Sequence, residues 1–402
     1  MSSPFSLAAW GAATTVDWRF PRIRDDYVAA PMDVVAAPDE IFGLTFAGFS
    51  ARLREAVGHH PRFHRALYRQ LMATGGCDPA KEPTWQEAEQ TSPGVITRVV
   101  RHLGEIRLPQ VVSERSAHDP ASGTTRKIVC RLHDGREVEA VLIPMRGGAQ
   151  DGGHATVCVS SQVGCKMGCR FCHTATMGLI RHLSAAEIVA QVLIAAQVGG
   201  VKPRNVVFMG MGEPLDNLDA VAQAVRVLTD INGLGLAQRH ITISTVGRVD
   251  QLVRFAELGL TRVNLAVSLT AADDELRSDL MPVNRVHDLA ALKAALLAHP
   301  LGRGRRILVS YVLMAGVNDA DEQLARLAEW CRGLRVLVNL IPFNPIPNRP
   351  EQPSAPARID AIRSALIAAG IPARVRRTKG DEVMAACGQL GDPTQRRRAL
   401  PS

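Results

Sequence analysis

Short apolar runs alternate with amphipathic segments through the second half of the chain. The segments between the runs have helical periodicity, and LSAAEIVAQVLIAAQ opens with the capping box Ser184-x-x-Glu187. Strands that alternate with helices indicate a parallel sheet. About six strand–helix units are fewer than the eight of a closed barrel, so we predict an α/β fold with an incomplete, open (β/α)6 barrel. The predicted strands are TVCVSS, NVVFMG, HITIST, VNLAVSL, ILVSYVL, VLVNLIPF and the shorter ARVRR.

Two other patterns precede this barrel. Residues 1–100 are polar and helix-prone, and the helical pattern FHRALYRQLMATGG ends on a glycine pair. In TRKIVCRLHDGREVEAVLIPM, two alternating runs flank Asp134 and Gly135, which is a strong β-hairpin signal. The predicted domains are an N-terminal helical accessory domain (1–100), a β-hairpin linker and extension (101–154), the barrel domain (155–392) and a basic C-terminal tail (393–402).

The composition is that of an ordinary globular protein, with 46% hydrophobic and 21% charged residues in 402. The N-terminus lacks the basic start and apolar run of a signal peptide, and no stretch offers about 18 uninterrupted apolar residues. We therefore expect a cytoplasmic protein without a membrane partner. In that reducing compartment, clustered cysteines serve as metal ligands or redox groups more often than as structural bridges.

The formal charge of +8 mildly favours a polyanionic partner. Taken alone, each basic cluster is typical of a solvated face, but three in one half of the chain point to a phosphate-binding surface. Only 4% of the residues are aromatic, so an extended base-stacking platform is not expected. The clusters are GRGRR at 302–306, RVRRTK at 374–379 and RRR at 396–398.

The segment CVSSQVGCKMGCRFC places four of the eight cysteines within residues 158–172. Cys165, Cys169 and Cys172 form C-x-x-x-C-x-x-C after the first predicted barrel strand. An iron–sulfur cluster normally takes four cysteine ligands, so three leave one iron open for a substrate. The alternatives are a structural zinc knuckle or unrelated thiols. Zinc needs a fourth ligand, and His173 is badly placed to bind together with Cys172. The spacing favours a catalytic cluster.

This cysteine loop resembles that of the radical S-adenosylmethionine (SAM) enzymes. Further motifs narrow the resemblance to the RlmN/Cfr family of RNA adenine methyltransferases over about residues 95–392. The resemblance implies a radical-SAM barrel and a [4Fe–4S] cluster held by Cys165, Cys169 and Cys172, with SAM at the open iron and two SAM molecules per turnover. The motifs are CVSSQVGC, GMGEPLDN, ISTVG, MPVNR, NLIPFNP and RTKGDEVMAACGQL.

The resemblance also implies a set of cofactor-binding residues at strand ends. At Gly212 a missing side chain lets backbone approach a ligand, and the Glu213 carboxylate can accept hydrogen bonds from an ammonium. On pattern alone, each of these positions is typical of an ordinary turn or strand-end cap. The family usually has Ser-Leu-His where this chain has Ser-Leu-Thr, so one cofactor or substrate contact is expected to differ. The implied cofactor-binding residues are Gly212, Glu213, Ser244, Ser268, Leu269, Thr270 and Asn344.

Three further residues match catalytic positions of the family. Cys387, on pattern alone a small buried thiol, corresponds to the cysteine that receives a methyl group from a first SAM. Cys158 matches the second redox cysteine, and Glu139 matches the proton-accepting carboxylate. In the implied route, a methylene radical on Cys387 adds to an adenine ring carbon and Glu139 assists loss of the ring proton. Cys158 then displaces the Cys387 sulfur, and the resulting disulfide must be reduced before the next turnover.

The expected function is methylation of an adenine ring carbon, carbon 2 in the first instance, in structured ribosomal and/or transfer RNA. The expected enzyme acts as a monomer and receives electrons from a flavodoxin-type donor. Methylation of carbon 8 of ribosomal RNA, as in the antibiotic-resistance branch, is the close alternative, and the shared motifs do not separate the two. A non-catalytic RNA-binding redox sensor is the alternative of another class, but it gives no reason for Cys158, Glu139 and Cys387.

Overall fold

The computed structural model describes residues 40–76, 83–103, 106–120, 123–145, 154–376 and 379–397. All of these residues belong to one compact unit. The α-helices are α1 (Phe46–Val57), α2 (Pro61–Thr74), α3 (Pro83–Thr91), α4 (Val95–Leu103), α5 (Ala185–Gly199), α6 (Leu218–Thr229), α7 (Val249–Glu257), α8 (Asp274–Leu280), α9 (Leu289–Ala298), α10 (Asp321–Cys331) and α11 (Pro356–Ala368).

The strands fall into one large sheet and one small hairpin. The large sheet has the order β1-β2-β3-β4-β7-β8-β9-β10-β11-β12, and β5 pairs with β6 separately. The strands are β1 (Gln110–Asp119), β2 (Gly123–Arg131), β3 (Glu137–Pro144), β4 (Ala155–Cys158), β5 (Gln162–Cys165), β6 (Gly178–His182), β7 (Pro203–Phe208), β8 (Ile241–Thr245), β9 (Asn264–Ser268), β10 (Ile307–Leu313), β11 (Val336–Pro342) and β12 (Ala373–Val375).

The parallel part of the sheet confirms the predicted barrel. All seven apolar runs form strands, β4 and β7 to β12, and each pairs in parallel with the next. Spatial order follows chain order, with helices as the crossovers. Within the described sheet, β12 and β1 are the two end strands and do not pair with each other, so the barrel is open. The carboxyl ends of the parallel strands therefore meet along one rim.

The antiparallel part of the sheet extends one edge of the barrel. Strands β2 and β3 form the predicted hairpin, with the pair Ile128↔Ala140 in register. The turn is closed by the Leu132 N–H, which donates to the Arg136 carbonyl at 2.7 Å. The hairpin joins the barrel because β3 pairs with β4. Strand β1, which the sequence analysis did not predict, adds a third strand along β2. Its QVVSERSAHD sequence is polar and largely exposed, so it carries little of the alternation that marked the hairpin.

The helices before the hairpin share a core with the barrel helices. Phe49, Leu53 and Leu67 are fully buried and belong to the same hydrophobic cluster as the residues of α5 and α6. The backbone N–H of Phe46 also donates to the Asp230 carboxylate at 2.6 Å, which ties α1 to the end of α6. The described helices therefore pack as a layer on the barrel, and the domain boundaries near residues 100 and 154 stay a prediction.

The described helices are too short or too polar to span a bilayer. No helix of the described ranges is long and apolar enough to cross a membrane. Several parts of the chain lie outside the described residues: residues 1–39 of the predicted accessory domain, Cys77, residues 146–153, residues 377–378 of the basic cluster at 374–379, and residues 398–402 of the predicted tail.

We expect the packing of the hairpin against the core to be measurable. The Ile128 side chain in β2 is fully buried, so Ile128→Ala should lower the free energy of unfolding by about 2–5 kcal/mol. The control Val111→Ala, in β1, changes a side chain that is 38% exposed and should cost less than about 0.5 kcal/mol. Urea denaturation followed by circular dichroism measures both. Equal costs for the two variants would contradict the burial of the hairpin.

Candidate active site

A cavity of about 150 Å³ lies at the carboxyl ends of the parallel strands and is open on one side to solvent. Loops after β5, β7, β8 and β11 and the C-terminal segment supply most of its lining. The cavity brings together side chains from residues 165 to 388, because parallel strands end on one rim. Nine residues named by the sequence analysis line it: Cys165, Cys169, Cys172, Gly212, Glu213, Ser244, Ser268, Asn344 and Cys387.

The three predicted metal-binding cysteines lie together on one wall. Cys165 ends β5, and Cys169 and Cys172 follow on the loop before the 3₁₀ turn His173–Met177. Burial raises the pKa of the Cys165 thiol to about 12 and also raises the pKa values of Cys169 and Cys172. The thiols therefore remain protonated unless a metal centre displaces the protons.

The chemistry of these thiols suits a metal cluster. Among the described residues, no group of three His, Cys, Asp or Glu side chains is close enough to hold a single metal ion. An iron–sulfur cluster spreads its thiolate ligands over separate irons. Three cavity-lining thiols with an open side toward Glu213 fit such a cluster.

Glu213 is a buried carboxylate fixed at the base of the cavity. Its Oε1 accepts from the Leu215 N–H at 3.1 Å, and its Oε2 accepts from the Val246 N–H at 2.9 Å. Its own N–H donates to Gln162 at 2.8 Å. The residue is 2% exposed, and this burial raises the pKa of the Glu213 carboxyl. A carboxylate in this position favours a cationic ligand, because a buried charge needs a counter-charge.

The glycines of the GMG sequence are required for packing. Gly212 has a φ of +101°, and a Cβ there would lie 2.6 Å from the Gln162 Cβ and 2.8 Å from the Ser161 Oγ. A Cβ at Gly210 would lie 2.7 Å from the Val159 carbonyl oxygen. In the structure the chain segment after β4 approaches Gly212 closely. Gly212 also lines the cavity, and its contact with a ligand stays a prediction.

Strand-end polar residues line the opposite wall. Ser244 and Ser268 lie at or next to the ends of β8 and β9, and Asn344 follows β11. Ser310, within β10, also lines the cavity, although the sequence analysis did not single it out. Its only signal was one polar residue inside the apolar run ILVSYVL. Asn344 has a further contact, because its Nδ2 donates to the Cys387 carbonyl at 2.9 Å.

Leu269 and Thr270 are not among the described residues that line the cavity. Both are fully buried. The Leu269 N–H donates to the Ser310 carbonyl at 2.9 Å. Thr270 has a φ of 60°, its carbonyl accepts from Asn318, and its buried hydroxyl has no hydrogen-bond partner in the described structure. The side chains of both residues are therefore buried outside the cavity lining, and their contact with the cofactor stays a prediction.

Cys387 stands between the first cavity and a second one of about 230 Å³. Cys158, at the end of β4, lines the second cavity together with Cys387 and Arg376. Both cysteines are free thiols. Burial raises the pKa of the Cys158 thiol to about 12, the nearby Cys387 raises it further, and Arg376 opposes the shift. The two thiols therefore face a common space from opposite elements.

The segment that carries Cys387, residues 384–391, is held between the cysteine loop and the hairpin. On one side, the His173 N–H donates to the Gly388 carbonyl at 2.6 Å and the Thr174 hydroxyl donates to the Leu390 carbonyl at 2.6 Å. On the other side, the Gly391 N–H donates to the Glu139 Oε2 at 2.9 Å. Glu139 is 7% exposed, and it is not among the described residues that line either cavity.

Arg277 is a buried residue beneath the site that the sequence analysis missed. Its guanidinium donates to the Val246 carbonyl at 2.7 Å, to the Leu269 carbonyl at 3.2 Å and to the Asn284 Oδ1 at 2.7 Å. It therefore ties the ends of β8 and β9 to the MPVNR motif. Burial lowers the pKa of Arg277 to about 10, and the Cys169 thiol opposes that shift. An arginine in an amphipathic helix gives no sequence signal of burial, because such side chains are usually exposed.

Comparisons with known proteins identify relatives of this chain. The family model described as the Radical SAM superfamily matches residues 159–328. The "Dual-specificity RNA methyltransferase RlmN" of Sorangium cellulosum is 44% identical over 75% of this chain and 86% of that protein. The protein of the same name from Syntrophobacter fumaroxidans is 42% identical over 84% of this chain and 93% of that protein. The crystal structure of a radical SAM methyltransferase from Sphaerobacter thermophilus aligns with a TM-score of 0.75 at 38% identity, over 87% of this chain and 98% of that one.

We expect Arg277→Met to destabilise the protein on the order of 3 kcal/mol, because it leaves several buried oxygens without donors. Arg254→Met is the matched control, since the Arg254–Asp219 pair is exposed on both sides and is worth less than about 1 kcal/mol. Chemical denaturation of both variants measures the difference. A cost for Arg277→Met no larger than that of the control would contradict its role in joining the loops.

Proposed function

The chain belongs to the RlmN family of radical SAM RNA methyltransferases, and we propose that it methylates carbon 2 of an adenine through an S-methylcysteine at Cys387. The observation that carries the proposal is the position of Cys387. Its thiol borders the cavity of the three cluster cysteines on one side and the cavity of Cys158 on the other. A methyl carbon on this sulfur would stand next to both the radical source and the thiol that must release the product.

The target explains why such an arrangement is needed. Carbon 2 of adenine lies between two ring nitrogens, so it is electron-poor and does not attack a sulfonium methyl group. A [4Fe–4S] cluster held by Cys165, Cys169 and Cys172 would supply the one-electron chemistry that starts a radical route. The remaining steps fall to side chains of the protein.

Cofactor binding is assigned to the residues that line the first cavity. Glu213 accepts the ammonium of SAM, since its carboxylate is buried and already oriented by two backbone N–H groups. Ser244, Ser268 and Asn344 supply neutral polar contacts from later strand ends. Asn344 also orients the Cys387 backbone, so it joins the cofactor site to the methyl carrier.

Three residues handle the protons and sulfur of the adenine step. Cys387 carries the methyl group as a thioether and forms the carbon–carbon bond to the ring through it. Glu139 accepts the ring proton. The unpaired electron left on the ring passes to a one-electron acceptor, a role that the cluster would supply. The Cys158 thiolate then attacks the Cys387 sulfur, the carbon–sulfur bond breaks, and its electron pair takes up a proton to complete the methyl group on the base, which leaves a disulfide. A cytoplasmic, flavodoxin-type electron donor and reducing thiols complete the cycle, and the enzyme acts as a monomer.

Basic groups at the second cavity suit an RNA backbone. Arg376 and Lys379 both line this cavity, next to Cys158 and Cys387. Phosphate contacts position a nucleic acid without reading its sequence, so these residues would hold the target nucleotide over the reacting sulfur. Because the relatives named above are dual-specificity RNA methyltransferases, we infer that this protein acts on both ribosomal and transfer RNA.

The test is nucleoside mass spectrometry after anaerobic incubation of the cluster-reconstituted protein with SAM, a reductant, and ribosomal or transfer RNA. We expect 2-methyladenosine in both RNAs. A Cys387→Ala protein is the control and should give none, because it cannot carry the methyl group. Appearance of 8-methyladenosine instead would overturn the assignment to carbon 2, and methylation by Cys387→Ala would overturn the S-methylcysteine route.

Removal of the resolving thiol should trap the enzyme on its RNA. We expect Cys158→Ala to accumulate a covalent protein–RNA adduct, because no thiolate remains to displace the Cys387 sulfur. A denaturing gel with labelled RNA measures the adduct against the wild-type protein. Cys130→Ala is the control, since this buried core thiol lies away from both cavities and should leave turnover near the wild-type rate. Multiple turnovers by Cys158→Ala would contradict the role of Cys158.

A further inference from the structure

Lys127 and Glu139, the proposed base, together contact both ends of the segment that carries Cys387. Its Nζ lies 2.9 Å from the Glu139 Oε2 and 3.1 Å from the Met384 carbonyl oxygen, to which it donates. The same Oε2 accepts from the Gly391 N–H at 2.9 Å. One carboxylate oxygen therefore holds the far end of the segment directly and the near end through the ammonium.

This connection lies in a protected environment. The side chains of Lys127 and Glu139 are each 9% exposed. Position 127 in β2 faces Val141 and position 139 in β3 faces Val129, so the two side chains are diagonal neighbours on one face of the hairpin. His173 is the other titratable group near the pair, and burial and Lys127 lower the pKa of its imidazole while Glu139 opposes this. The pair is therefore little screened by solvent.

The proposed reaction requires the Cys387 sulfur to change partners. It first borders the cavity of the cluster cysteines, and later it must bond to the Cys158 sulfur. A disulfide needs a sulfur–sulfur distance of about 2.05 Å, and in the structure both cysteines are free thiols. The Cys387 side chain, or the segment that carries it, must therefore turn from the cofactor cavity toward Cys158 between the two steps.

We propose that the Lys127–Glu139 pair is a latch that keeps Cys387 toward the cofactor cavity until Glu139 receives the adenine proton. The inference rests on the proposed function, since it takes Glu139 as the base and Cys158 as the resolving thiol. Lys127 is in this account a positioning residue, because it acts on the reaction through Glu139 and the backbone of the segment.

The proton transfer itself releases the latch. The ring C–H bond breaks, its electron pair stays with the ring, and the proton forms an O–H bond on Glu139. The unpaired electron that radical addition left on the ring passes to a one-electron acceptor, a role that the cluster held by Cys165, Cys169 and Cys172 would supply. Both segment contacts use Oε2, so Oε1 is the oxygen that takes the proton. The neutral acid binds the ammonium and the Gly391 N–H more weakly, because hydrogen bonds with an ionised partner are about twice as strong as neutral ones. The segment is then free to carry Cys387 to Cys158 after the proton has left the ring.

The latch predicts how readily the two cysteines pair without any RNA. The experiment uses cluster-reconstituted protein with unmethylated Cys387, treated with oxidised glutathione, and follows the Cys158–Cys387 disulfide by peptide mass spectrometry. Lys127→Met should form it about tenfold faster than the wild-type protein, since a charge-assisted restraint is lost. Lys127→Arg, which retains the cation, should stay within about twofold of the wild-type rate.

Two further variants separate the latch from general loosening. Glu139→Gln imitates the protonated acid and should accelerate the disulfide to a similar extent, and the double variant Lys127→Met/Glu139→Gln should be no faster than either single one. Arg126→Gln is the matched control, because the neighbouring Arg126 pairs with Glu114 on the exposed face and should leave the rate unchanged. Thermal unfolding of every variant reports whether the fold is retained.

The outcomes test the latch and the proposed function separately. A wild-type rate in Lys127→Met, or an additive double variant, would overturn the latch and leave the proposed function standing. Failure of every variant, and of the wild-type protein, to form the Cys158–Cys387 disulfide would overturn both. Acceleration by Lys127→Met that Lys127→Arg reverses supports the latch, because a purely structural loss of packing would not depend on the charge.

Discussion

The site depends on the packing of the C-terminal segment between the cysteine loop and the β2–β3 hairpin. Backbone groups on both faces of this segment find partners: the His173 N–H binds the Gly388 carbonyl, and the Gly391 N–H binds Glu139. With these contacts, a residue near the C-terminus is held between the cluster cysteines and Cys158, and buried backbone polar groups are satisfied at the same time.

Buried charges organise the surroundings of this segment. Glu213, Arg277 and the Lys127–Glu139 pair are all buried, and each is engaged by backbone groups that belong to loops of the site. Isolated charges would be costly in such positions, so each one fixes the loops that supply its hydrogen bonds. The barrel rim is therefore oriented before any ligand arrives, which reduces the ordering required for binding.

Sequence patterns predicted the strands and the hairpin well where one face or both faces of the strands are buried. The seven apolar runs became the parallel strands, and Asp134-Gly135 marked the hairpin turn. Strand β1 escaped prediction because an exposed edge strand is stabilised by pairing with β2 rather than by its own apolar face. Burial of the Thr270 side chain could not be predicted from the motif, because it depends on how the loop after β9 packs.

The sequence by itself determined the order of strands and helices, the cysteine spacing and the motifs that name the family, because these depend on periodicity and on residues close along the chain. Only the tertiary structure decided which distant groups meet. The contacts of Lys127 with Glu139 and Met384, and of Arg277 with Val246 and Leu269, depend on how the hairpin and the strand ends close on one another. Whether a charged side chain is buried or exposed is known only once that packing is known, because the same residue type occurs in both environments.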